Sequence, residues 1–169
     1  DELNTVYTFP ETMPDTDAYI YAKWAPAPDT PYTVEHYQEQ FTSGEYELFE
    51  SEAFTGTTDS YVTPAVKNYT GFNAPVRQEL KIKPDGSAVL RYYYSLQRHT
   101  VTFKYGEVES GEDVAYELKY GADVYAPNFN ASGYKFIGWS ANGTTAVTPI
   151  SVVGKKEVEY TALWEKLPD

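Results

Sequence analysis

Two histidines, a group of carboxylates and a run of three tyrosines are the side chains of this 169-residue chain whose types and spacing suit chemistry. A nucleophile–histidine–acid arrangement needs an imidazole beside a serine or threonine hydroxyl. His36 lies between Glu35 and Tyr37 in a strand-like stretch, and His99 stands at a strand start. Neither has a partner motif, so both read as surface or boundary histidines. Paired carboxylates would suit glycoside hydrolysis. Glu45, Glu47, Glu50 and Glu52 are close in sequence, and alternation puts Glu45 and Glu47 on one face with Tyr46 and Leu48 on the other. Phe49-Glu50 breaks that register, which predicts a bulge or a strand end. Hydrolases place such carboxylates in a cleft of a much larger domain, so a solvated strand face is the reading. No catalytic residue is expected.

Oxygen-rich segments at Asp15-Thr16-Asp17 and at Glu107, Glu109, Glu112 and Asp113 have a composition that suits calcium. They lack the spacing of a calcium-binding loop, so no metal or other cofactor is assigned. An internal Lys–Asn isopeptide bond would need a buried lysine, asparagine and acid in contact. Lys104 and Lys119 lie in strand-like stretches, but no spacing marks a partner asparagine, and the bond is not expected. Asn68, Asn130 and Asn142 each begin an N-glycosylation acceptor triplet. Tyr92-Tyr93-Tyr94 is the candidate ligand surface. Alternation sends Tyr92 and Tyr94 to one face and Tyr93 to the other; the favoured reading makes one face core and the other covered by the neighbouring module, and the alternative leaves an aromatic face open to a partner.

The elements that carry these residues are strands. Tyr19–Trp24, Thr33–Tyr37, Val89–Tyr94, Thr100–Tyr105 and Val158–Trp164 are short, rich in aromatic and β-branched residues, and bounded by turn residues. No apolar period of 3.6 runs for three turns. Short helical turns are expected at most, at Ala65–Tyr69 or Ala122–Asn128. Lys83-Pro84-Asp85-Gly86-Ser87 has proline and glycine where a turn needs them and predicts a hairpin between Leu80–Ile82 and Val89–Tyr94. Asn142-Gly143 predicts a second turn, either a tight hairpin or an ordinary loop.

Composition narrows the setting. Thirteen Lys and Arg against 25 Asp and Glu leave a formal charge of −12. That disfavours nucleic acid and an anionic membrane surface. Aromatic residues make up 17% of the chain, far more than a disordered acidic tail would carry. Cysteine is absent, which excludes disulfides, zinc–thiolate sites and a thiol nucleophile. No apolar run is long enough for a membrane helix, so no membrane insertion is expected. The opening residues are neither basic nor a signal-peptide core, and the chain reads as a fragment from inside a longer protein.

Three prolines in Ala25–Pro31 mark a stiff boundary. Ser95–Arg98 marks a second, short and without Gly or Pro. Between them the sequence echoes itself. Tyr32-Thr33-Val34 opens one stretch and His99-Thr100-Val101-Thr102-Phe103 the next; Ala22-Lys23-Trp24 and Ala162-Leu163-Trp164 close two others. The expected organisation is a partial module at 1–24, a linker at 25–31, and modules at 32–97 and 98–167, in a tandem array. Residues 1–24 are expected to be ordered by strand addition to an exposed edge, with self-association as the consequence.

Gly133-Tyr134-Lys135-Phe136-Ile137-Gly138-Trp139, followed by Tyr160-Thr161-Ala162-Leu163-Trp164, resembles the internalin-type B-repeat, also called the Listeria–Bacteroides repeat, over about 99–165. Tyr7-Thr8-Phe9 through Ala22-Lys23-Trp24 resembles the end of a preceding copy. The middle stretch, with Tyr32–Tyr37, Thr55–Thr58, Tyr69–Phe72 and Asp85–Ser87, is similar to mucin-binding-protein repeats. One departure is the acidic run Glu107–Asp113 after Tyr105-Gly106, where a Gly-rich turn is usual. The resemblance implies a β-rich chain (α+β at most) of tandem small β-grasp-like modules. It implies a non-enzymatic segment of a bacterial cell-surface protein, extracellular and wall-anchored in its full length, acting as stalk or adhesion module. A host glycoprotein or mucin is the implied partner, and the alternative function is binding a host glycan or protein through the aromatic face. Small cores need large aromatic anchors. Trp24, Tyr134, Phe136, Trp139, Tyr160 and Trp164 are the expected ones.

Overall fold

The computed structural model describes Thr8, Thr12, Asp15, Asp17, Tyr19, residues 21–108 and residues 111–168. Among these residues there are ten strands and no helix: β1 (Thr30–Glu39), β2 (Tyr46–Gly56), β3 (Tyr61–Val62), β4 (Phe72–Asn73), β5 (Leu80–Lys81), β6 (Ala88–Leu96), β7 (Arg98–Lys104), β8 (Val114–Lys119), β9 (Tyr134–Ser140) and β10 (Val158–Lys166).

Two four-stranded sheets repeat one plan. The first runs β2-β1-β6-β4 and the second β8-β7-β10-β9. Each opens with an antiparallel hairpin, β1–β2 or β7–β8. The chain then crosses the sheet and returns as a last strand parallel to the first, β6 beside β1 and β10 beside β7. The outer strands β4 and β9 pair antiparallel with these last strands. A small ribbon, β3–β5, forms within the first crossover.

The parallel pairs demand long crossovers, which are usually helical. Here they are irregular. Ala65–Tyr69 and Ala122–Asn128, where short helical turns were expected, contain none. Lys67 gives its N–H to the Tyr94 hydroxyl at 3.0 Å rather than to a helical carbonyl. Val124 gives its N–H to Ser151 at 2.9 Å. Tyrosine hydroxyls serve the same need elsewhere: Tyr92 donates to the Pro64 carbonyl at 2.8 Å, and Tyr160 accepts from the Ile150 N–H at 3.0 Å. Buried backbone groups without a helix must find such partners.

The turn at Lys83–Ser87 forms, with Gly86 at φ 71° and its N–H on the Lys83 carbonyl at 3.0 Å. It does not make a hairpin. β5 pairs with β3, because β1 and β4 already occupy the edges of β6. At Asn142-Gly143 the loop is wide and is closed by one bridge between Trp139 and Val147. The Asn142 side-chain oxygen organises it by accepting from the N–H groups of Thr144 and Thr145 at 3.0 and 2.9 Å.

The strand expected at Tyr19–Trp24 is absent among the described residues. Tyr19, Tyr21 and Trp24 are 80, 73 and 89% exposed, so Trp24 anchors no core. The chain beyond it carries Pro26 and Pro28, which have no N–H for a ladder. Tyr7 and Phe9 lie outside the described residues.

One residue, Gln97, connects the two sheets. Its N–H donates to Gly71 and its carbonyl accepts from Tyr120, both at 2.8 Å. Lys119 reaches back to Glu39 at 2.9 Å and to the Phe41 carbonyl at 3.1 Å. Gly71, at φ 84°, lies so close to the Tyr120 ring that a Cβ there would overlap it.

Candidate functional site

Each sheet has an inner face under its crossover and an outer face. In the first, alternation along β1 buries Tyr32, Val34 and His36 and turns Thr33, Glu35 and Tyr37 outward. Along β6 it buries Leu90, Tyr92 and Tyr94 and turns out Arg91 and Tyr93. The register then sets Tyr37 beside Tyr93 and Glu35 beside Arg91. On the other side of β1, Tyr37 faces Leu48 and Glu39 faces Tyr46.

The result is an aromatic platform on the outer face. Tyr37 and Tyr93 stack at 5.2 Å between ring centroids, and Tyr46 meets Tyr93 edge-on at 5.3 Å. Tyr46, Leu48 and Tyr93 are 40, 51 and 47% exposed. The border is polar and balanced. Glu35 accepts from Arg91 Nε at 2.8 Å and from the Tyr37 hydroxyl at 3.1 Å. The Tyr37 hydroxyl and then the Glu35 carboxylate favour the charged form of the Arg91 guanidinium.

The tyrosine run is therefore divided. Tyr92 and Tyr94 are wholly buried and cannot meet a ligand; Tyr93 alone remains on the surface. Its partners Tyr37 and Tyr46 were not singled out as ligand residues. Alternation sets the side of each strand they occupy, but that they meet depends on the pairing register of β2, β1 and β6.

The inner face of the same sheet holds a polar cluster. His36, fully buried, has Nδ1 at 2.9 Å from the Tyr94 hydroxyl and Nε2 at 3.1 Å from Glu52. The Tyr94 oxygen also accepts the Lys67 N–H at 3.0 Å. Lys67 Nζ bridges Glu50 at 2.7 Å and Glu52 at 2.9 Å, and the Tyr69 hydroxyl donates to Glu50 at 2.9 Å. Lys67 and then Tyr69 hold the Glu50 carboxyl below the usual carboxylate range. The two carboxylates push Lys67 up, and burial pushes up both Tyr69 and Tyr94. His36 is thus a core residue rather than a surface one, while Glu50 and Glu52 lie at the margin of the inner face, paired to Lys67 and still partly exposed to solvent. No serine or threonine hydroxyl bonds to His36 among these contacts, and the cluster ties β1, β2 and β6 to the crossover at Lys67 and Tyr69.

His99 is partly buried, with Nε2 buried and unbonded. Glu45 and Glu47 are exposed. Among the described residues no three His, Asp or Glu side chains gather to hold a metal. Asp113 ties the acidic loop by accepting the Tyr105 N–H at 3.0 Å, while Glu109 lies outside the described residues.

In the second sheet Phe103, Phe129, Trp139 and Tyr160 form the buried core, with Phe136 and Trp164 packed against it. Trp164 Nε1 donates to the Tyr105 carbonyl at 2.7 Å. Tyr134 does not join them. It stands at the end of edge strand β9, opposite Lys166, beyond the reach of the core. Val108, Val124, Phe129 and Val153 complete the core from loops.

No protein-family model matches the chain, and no curated protein matches it as a relative. The likeness to B-repeats and mucin-binding-protein repeats rests on the motif residues alone.

Proposed function

We propose that this chain is a non-enzymatic repeat segment of a bacterial cell-surface protein, a stiff extracellular spacer built of β-grasp-like modules. The observation that carries this reading is the repetition of one strand order in tandem across a single connecting residue. That residue is hydrogen-bonded on both sides, and Lys119 bridges back to Glu39. The order, with first and last strands parallel at the centre and hairpin partners outside, supports a β-grasp-like sheet whose helix is replaced by an irregular crossover. A stack of such units projects a binding tip from a cell wall. The Lys119 contact also holds the Glu39 carboxyl below its ordinary value, as a charge pair at a fixed junction does. Small-angle scattering tests the reading. The parent chain should give one narrow distribution of distances between the sheets, and Lys119→Ala with Gly71→Ala should broaden it. A broad distribution in the parent would contradict a stiff spacer.

A second reading is favoured by the platform of Tyr37, Tyr46 and Tyr93: a binding face for a host glycan or host protein, mucin included. Tyrosines on a rigid sheet offer large contact area at low entropic cost.

A further inference from the structure

The free edge of the first sheet carries an inference beyond the spacer reading. β2 is eleven residues long and pairs only with β1 among the described residues. The other edges are shorter: β4 has two residues, β8 six, and β9 seven with Trp139 bridged to Val147. Natural edges are blunted by charged side chains, lysine above all, by proline, by bulges or by brevity. β2 is long and has no lysine or proline, and its single bulge, opposite His36/Tyr37, sets Phe49 edge-on to Tyr69 at 5.2 Å while leaving it partly open to solvent.

Three features make this edge more than unpaired backbone. Leu48, Phe49 and Phe54 are 51, 59 and 41% exposed. A mainly apolar groove of about 230 Å³ runs beside the strand, lined by Tyr32, Val34, Glu52, Phe54, Pro64 and Lys67 among others. Glu47 adds an exposed carboxylate. An added strand would gain main-chain hydrogen bonds from the edge and a slot for one bulky side chain from the groove.

The same chain holds a segment of matching chemistry. Tyr19-Ile20-Tyr21-Ala22-Lys23-Trp24 has three aromatic residues and one β-branched residue, contains no proline or glycine, and carries one cation and no acid. Tyr19, Tyr21 and Trp24 are exposed. Alternation puts Ala22 and Trp24 on one face and Tyr19, Tyr21 and Lys23 on the other.

We infer that the β2 edge accepts residues 19–24 of a second copy as an added strand, with Trp24 directed into the groove beside Phe54. The five-residue linker 25–29 leading into β1 is short and carries Pro26 and Pro28, which favours a neighbour over the strand's own sheet. The contact joins unlike surfaces, so two copies can exchange segments in a closed pair or many can add head to tail, and in both cases average mass grows with concentration.

Sedimentation of the full chain from micromolar to millimolar concentration tests this. Average mass should rise with concentration, and Tyr21→Pro in the donor or Leu48→Lys in the edge should each weaken association by about tenfold or more. Both positions are exposed, so the fold should persist, as a ¹⁵N NMR spectrum would verify. A synthetic peptide of residues 17–25 should shift the amides of Tyr46–Gly56 and compete with association. A monomer at every concentration, no amide shifts with the peptide, or association that survives both substitutions would overturn the inference.

Discussion

The two sheets share a strand order and differ in what fills each side. In the first, the inner face is built of tyrosines, a histidine and an ionic cluster, and the outer face carries stacked tyrosines. In the second, the inner face is a pile of apolar rings, with Phe103 against Trp139 at 4.8 Å and Phe129 against Trp139 at 5.0 Å. Its outer face is Thr100, Thr102, Lys104, Glu159 and Thr161, with Lys104 paired to Glu159 at 2.8 Å. The frame therefore tolerates either core. It also does not require aromatic rings outside, since the second sheet stands without them. What both keep is a tyrosine hydroxyl from the last strand on a crossover N–H: Tyr94 on Lys67, and Tyr160 on Ile150. We take that bond as the device that lets a parallel pair form without a helix.

Breaking those hydroxyls should separate the two sheets by size of effect. Tyr94→Phe leaves the Lys67 N–H and His36 Nδ1 without their partner, and should cost about 1–3 kcal/mol. Tyr160→Phe strands only the Ile150 N–H and should fall at the lower end of that range. Hydrogen exchange gives the local readout: Lys67 should exchange faster in the first variant and Ile150 in the second, each without the other. The tryptophans Trp139 and Trp164 report only the second sheet, so fluorescence distinguishes which one loosens.

Acid should sharpen the contrast next. Glu50 in the first sheet and Glu39 at the junction have lowered carboxyl values, through Lys67 and Lys119 respectively. A depressed carboxylate contributes stability that is full above its unfolded value, near 4.5, and is lost as pH falls through the folded value. Lys67 is shifted the other way, so its share is full below 10.5 and is lost only in strong alkali. Denaturation measured from pH 7 down to pH 3, a range chosen to span the carboxylate titration, should weaken the first sheet before the second.

Much of this frame is legible in the residues. β1, β6, β7 and β10 follow from β-branched and aromatic runs, and the bulge at Phe49 follows from the broken alternation beside Glu50. The destination of the tyrosine run does not follow from the run, because three tyrosines are symmetric under alternation. Leu90 and Leu96 share parity with Tyr92 and Tyr94 and mark that side as core. The Lys83–Ser87 turn is readable as a turn but not as a connection between layers, since which edges of β6 are taken is a long-range fact. Tyr19–Trp24 has strand composition and no strand, because a strand needs an edge as well as a propensity. The platform at Tyr37, Tyr46 and Tyr93 needs pairing register across three strands, which no local pattern encodes.

The claim at the centre is that the outer tyrosines of the first sheet are surplus to the fold and therefore available to a ligand. Replacing all three by threonine, the residue type on the second sheet's outer face, and comparing with Tyr92→Ala on the inner face tests it directly. The triple variant Tyr37→Thr, Tyr46→Thr, Tyr93→Thr should lose no more than about 3 kcal/mol, since its two ring pairs are worth about 0.5–1.5 each. The single Tyr92→Ala should lose about 3–5 kcal/mol, as a buried ring does. A triple variant that loses as much as Tyr92→Ala, or fails to fold, would make the platform part of the core and contradict the account.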